Sequence, residues 1–84
     1  MNQSINQSSE KIKFAIKLTV VGVTDYIARE LDIDSEEALR QFAKSKTYAL
    51  LQNGDSMLYT ESTEYVLDML RSENNGDWEE WQRI

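Results

Sequence analysis

Ile12, Ile16, Thr19, Val23, Ile27 and Leu31 recur at steps of three and four. That spacing places side chains on one face of an α-helix, and Ser8 or Ser9 is suited to cap it. The expected first helix therefore runs from Ser9 to about Leu31. Phe14, Leu18, Val21 and Tyr26 widen the apolar stripe beyond one face, which predicts a helix packed on two sides. The stretch Leu18–Thr24 is rich in β-branched residues and contains Gly22, so a short strand competes there. Helix is preferred because the periodicity continues through both flanks. Gly22 marks a place where a second helix can approach closely.

Past an acidic connector, Asp32 to Asp34, the pair Asp34 and Glu37 has the spacing of a reciprocal capping box. A second helix is expected from Ser35 to about Leu51. Leu39, Phe42, Ala43, Lys46, Ala49 and Leu50 are expected along its inner face, with the Lys46 stem lying on the apolar surface. Asn53-Gly54-Asp55-Ser56 reads as a turn, with Gly54 suited to positive φ. Met57-Leu58-Tyr59 reads as an extended link. Thr60 or Ser62 can cap a third helix reaching Glu73, and Asn74-Asn75-Gly76 stops it.

The expected fold is thus all-α: a three-helix domain with a short extended link and a short C-terminal helix. Its parts are a flexible tail (1–8), the helical domain (9–74) and a Trp-bearing segment (75–84). In that last segment Trp78, Trp81 and Ile84 are spaced i, i+3, i+6 and share one broad helical face. They either close the domain's own core or form a partner-docking segment.

Composition limits the chemistry. A chain of 84 residues is one domain, and buries only about 60–65% of its unfolded surface, leaving little spare for an elaborate cleft. There is no Cys and no His, which removes disulfides, Cys/His zinc sites and the Ser–His and Cys–His nucleophile pairs. The three glycines are isolated, so no phosphate-cradling loop is present. Asp32, Asp34 and Glu36 alternate like the start of a calcium loop. Glu37 then stands where Gly is needed, and Ala43 where a bidentate Glu is needed. No catalytic site, metal or cofactor is expected.

The net charge is −6, with residues 1–31 at +1 and residues 32–84 at −7. Phosphate-backbone binding requires the opposite sign, and Glu36 and Glu37 stand where a helix-turn-helix would present base contacts. The acidic surface suits a basic protein partner better. A DNA-binding accessory regulator and a self-associating structural protein are the alternatives. Met1–Ser9 lacks the features of a signal peptide. No apolar run approaches the ~20 residues of a membrane span. A cytoplasmic protein is expected.

Ser45-Lys46-Thr47-Tyr48, Leu50-Leu51, Leu58-Tyr59-Thr60-Glu61-Ser62, Tyr65-Val66-Leu67-Asp68-Met69-Leu70 and Glu73, together with Tyr26-Ile27-Ala28 and the Asp34–Phe42 segment, form a pattern. Over Val23–Glu73 it resembles a group of short, uncharacterised bacterial helical proteins. Some related groups are encoded beside toxin genes, so the resemblance implies an antitoxin-like, partner-binding role. It carries no catalytic signature and assigns no site residue.

Overall fold

The computed structural model describes residues 2–73, with side chains from residue 9 onward. Four α-helices follow in order: α1 (Asn2–Leu31), α2 (Ser35–Ala43), α3 (Lys46–Gln52) and α4 (Thr63–Glu73). Two 3₁₀ turns, Gly54–Ser56 and Leu58–Thr60, join α3 to α4, and there is no strand among the described residues. The fold is a small all-α domain.

The 30 residues of α1 span about 45 Å and set the longest of the molecular dimensions, 49 × 23 × 18 Å. Helix runs through all of Leu18–Thr24, so the competing strand does not form. Val23 is fully buried, and Thr19 and Thr24 are nearly so. Tertiary contact outweighs the local β preference of this stretch. Thr19 fits the apolar stripe because its hydroxyl donates to the Ala15 carbonyl at 3.1 Å, which satisfies the hydroxyl within the helix.

The segment 1–8, expected as a tail, is helical from Asn2. Once the packed stretch from Ile12 has nucleated the helix, each further residue adds one hydrogen bond at small cost. At the other end, Asp32 takes a left-handed φ of 56°. The Ile33 N–H reaches back to the Ala28 carbonyl at 3.0 Å. This is a Schellman ending, in which the residues after the helix turn back to satisfy its free carbonyls. Ile33 and Ala28 both pack on the core, as that motif favours.

The expected second helix is two. Ser45 is extended (φ −85°, ψ 158°). Its hydroxyl donates to the Phe42 carbonyl at 2.7 Å and accepts from the Tyr48 N–H at 3.0 Å. It closes α2 and caps α3 with one side chain. The break resets the helical phase, so the expected inner face is mostly wrong. Phe42 is fully buried, but Leu39, Ala43, Lys46, Ala49 and Leu50 are exposed. The residues that turn inward are Ala38, Gln41 and Phe42 from α2, and Thr47 and Leu51 from α3. Half of the expected capping box forms: the Asp34 carboxylate accepts from the Glu37 N–H at 2.8 Å. The Glu37 carboxylate turns instead to Arg40 and Gln41.

Residues Met57–Tyr59 are not extended. The Asn53 side chain accepts from the Asp55 N–H at 3.0 Å and starts the first 3₁₀ turn. The left-handed backbone expected at Gly54 falls on Met57, φ 60°. Ser62 begins α4, accepting from the Tyr65 N–H at 3.1 Å.

Glu73 locks the end of α4 to the start of α3. Its carboxylate accepts from the Lys46 N–H (2.7 Å), the Thr47 N–H (2.9 Å) and the Thr47 hydroxyl (2.8 Å). Partial desolvation pushes this carboxyl upward. The hydrogen bonds from Lys46 and Thr47 outweigh it, with a smaller contribution from the Lys46 charge, and the group titrates below its ordinary value near 4.5. A depressed carboxylate stabilises the fold fully above its unfolded pKa, and loses that contribution as pH falls through the folded value. Glu73→Gln is expected to lower stability at neutral pH by no more than about 1 kcal/mol, since the exposed carboxylate is screened by solvent. The gap between parent and variant should narrow as pH drops below the ordinary carboxylate range. Urea denaturation at several pH values checks both parts.

Gly22 is where α4 approaches α1. A Cβ placed there would lie 3.1 Å from Thr63 Oγ1 and 3.5 Å from Thr63 Cγ2. Alanine in a helix interior gains up to about 1 kcal/mol over glycine, but here the new methyl meets Thr63. Gly22→Ala is expected to give no gain in the parent, and a gain of about 0.5–1 kcal/mol in a Thr63→Ala background. A double-mutant cycle measured by denaturation reads this coupling.

Candidate docking face on the first helix

The core is built from Ile16, Val23, Ile27 and Leu31 of α1, Ala38 and Phe42 of α2, Leu51 of α3, Leu58 of the second 3₁₀ turn, and Val66, Leu67 and Leu70 of α4. It covers one side of α1 only, so the expectation that this helix is packed on two sides is not met among the described residues. Phe14 lies nine residues before Val23, and at about 100° per residue that puts it roughly opposite the core. Leu18 and Val21 follow at i+4 and i+7 and share its stripe. Phe14 is 61% exposed, Leu18 56% and Val21 59%.

Beside Val21 the stripe opens into a groove between α1 and α2 of about 440 Å³. Val20, Val21 and Leu39 form its apolar surface, and Asp25 and Glu36 stand on its rim. Asp25 pairs with Arg29 at 2.7 Å, one helical turn along, with both side chains well exposed. At the other end of the stripe Phe14 sits among Glu10, Lys13 and Lys17, with Lys11 also exposed. The stripe is net basic at its N-terminal end, where Lys11, Lys13 and Lys17 outnumber Glu10, and net acidic at its groove end, where Asp25 and Glu36 outnumber Arg29.

A second cluster joins α1 to α4. The Arg71 guanidinium donates to the Tyr26 hydroxyl at 2.7 Å, lies 5.5 Å from the Tyr26 ring centroid and 3.6 Å from the Asp68 carboxylate. These contacts fasten α1 to α4, and Tyr26, Asp68 and Arg71 also line a cleft of about 240 Å³ together with Glu64 and Leu67.

Asp32, Asp34 and Glu36 serve the turn between α1 and α2. Asp32 takes the left-handed turn position, Asp34 caps α2 and Glu36 points to solvent. No group of three or more acidic side chains among the described residues is placed to hold a metal ion. No described helix is long and apolar enough to cross a membrane. Trp78, Trp81 and Ile84, expected either to close the core or to dock a partner, lie outside the described residues. Sequence reasoning missed the groove. The apolar stripe of Phe14, Leu18 and Val21 is visible in the sequence, but the groove also needs Leu39, which a continuous second helix turns inward.

Comparison with protein-family models, curated proteins and solved structures found no match.

Proposed function

We propose that this protein is a non-enzymatic protein-interaction module that docks its partner on the outer face of α1. The observation that carries the reading is the row Phe14, Leu18 and Val21, each more than half exposed and continuous with the groove at Leu39. Large apolar side chains scattered singly over a surface need no explanation. A contiguous row flanked by charges is the pattern of an interaction site. Trp78, Trp81 and Ile84 are a second candidate contact, on the strength of Trp enrichment at interfaces.

The narrower form of this reading is an antitoxin-like protein in a bacterial cytoplasm that covers a basic partner. The net charge of −6 and the acidic rim of the groove support a basic partner. The rival with a specific observation in its favour is DNA binding through Lys11, Lys13 and Lys17, which cluster near Phe14.

The test compares the parent with a Phe14→Asp/Leu18→Asp variant, after circular dichroism has established that both are folded. A partner that co-purifies in stoichiometric amount with the parent should be lost by the variant. Retention of that partner by the variant would place the docking site elsewhere. Salt-sensitive binding to duplex DNA, abolished by Lys11→Glu/Lys13→Glu, would favour the rival.

A further inference from the structure

We propose that the occupant of this face is a second copy of the same chain, packed antiparallel along α1 about a two-fold axis at Leu18. The inference rests on the reading of this face as a docking surface; the basic groups that meet its acidic rim then come from Lys11 and Lys13 of a second copy and not from a separate basic protein. Lys11 and Asp25 lie equally far from Leu18, on opposite sides of it. An antiparallel two-fold pairing centred on Leu18 brings Lys11 of each copy to Asp25 of the other. It also brings Phe14 of each copy opposite Gly22 of the other, next to Val21, at the mouth of the groove lined by Val20 and Leu39.

Lys13 lies on the side of α1 that faces α2. A two-fold axis lying across the two helices keeps those sides together, so Lys13 approaches Glu36 on the partner's groove rim. A closed two-fold interface requires one patch that is complementary to itself. Here the apolar knob and its basic flank sit at one end of the stripe, and the apolar groove and its acidic rim at the other. A parallel pairing would set Lys11 against Lys11 and Asp25 against Asp25, which like-charge repulsion disfavours. One helix face and one groove per protomer is a small contact. Association is therefore expected on the order of micromolar, and weaker as salt rises.

The test uses the full chain in sedimentation velocity across a concentration series. The parent should move from the 9.8 kDa monomer to a dimer of twice that mass. Two charge-reversed chains decide the geometry: Lys11→Glu/Lys13→Glu, and Asp25→Lys/Glu36→Lys. All four positions are exposed, and circular dichroism checks that each variant is folded. Each variant alone should stay monomeric at concentrations where the parent is dimeric. An equimolar mixture of the two should recover the dimer, because each copy then meets its opposite charges.

A parent that is monomeric up to several hundred micromolar overturns the proposal. So does dimerisation of either variant with the parent's affinity. Occupation of the face by residues 77–84 of the same chain would give a monomeric parent whose fold is destabilised by Phe14→Asp, and that also overturns it. If the parent is monomeric but the Phe14→Asp/Leu18→Asp variant loses a different bound protein, the docking reading stands and only the self-association fails.

Discussion

Replacing Phe42 by Ala is expected to remove about 3–5 kcal/mol of stability, as measured by chemical denaturation. Phe42 is fully buried and ranks first by volume among the fully buried side chains. It also spans the corner between α2 and α3. Its ring meets the edge of Tyr48 at a centroid separation of 5.1 Å and an interplanar angle of 85°. Such aromatic pairs add about 0.5–1.5 kcal/mol beyond the area they bury. Removing the ring leaves a cavity that Ala38 and Leu51 can only partly close. A domain of this length has a total stability of roughly 4–13 kcal/mol, so the substitution removes from about a quarter to all of it, and the variant should melt well below the parent. A loss of less than 1 kcal/mol would mean that Phe42 is not in the core.

The second large effect separates two neighbouring leucines. Leu51 is fully buried, whereas Leu50 is 44% exposed. Leu51→Ala is expected to cost about 2–5 kcal/mol, and Leu50→Ala under about 1 kcal/mol. The contrast depends on the break at Lys44–Ser45, because one continuous helix from Ser35 would turn Leu50 inward instead. Equal losses at the two positions, or the reverse order, would restore the single helix. The measurement is a pair of urea titrations against the parent.

That contrast shows where the sequence could and could not be read. The stripe from Ile12 to Leu31 was legible because a long periodic run leaves only one good way to bury its apolar face. Ile16, Val23, Ile27 and Leu31 are in the core as expected. The approach at Gly22 was legible for a similar reason: a glycine inside a strong helix is costly unless something packs against it, and Thr63 does. The corner at Ser45 was not. Its side chain is an ordinary N-cap, but the apolar residues on either side can be joined into one continuous pattern. The bond that helps fix the corner comes from Glu73, a long way off in sequence. The left-handed residue is Met57 and not Gly54, because the Asn53 side chain starts a 3₁₀ turn at Gly54.

The docking face was half legible. Phe14, Leu18, Val21 and Tyr26 were recognised as apolar beyond one face, but periodicity alone cannot say whether a second face meets the chain's own elements or something outside it. The helices that follow α1 are short, of nine, seven and eleven residues, and together they cover one side of a helix of 30. The groove at Leu39 could not be foreseen, because the continuous second helix had turned Leu39 inward.

Helix α1 carries two apolar faces, one buried in its own core and one exposed, and the second is the face proposed to receive another molecule. The most direct measurement follows the methyl resonances of the intact chain as its concentration is raised. The methyl groups of Leu18 and Val21 should shift or broaden progressively with concentration, while those of Val23 and Leu67, buried in the core, stay fixed. Leu18 and Val21 signals that remain as constant as those of Val23 across the whole range would show that no second copy occupies this face.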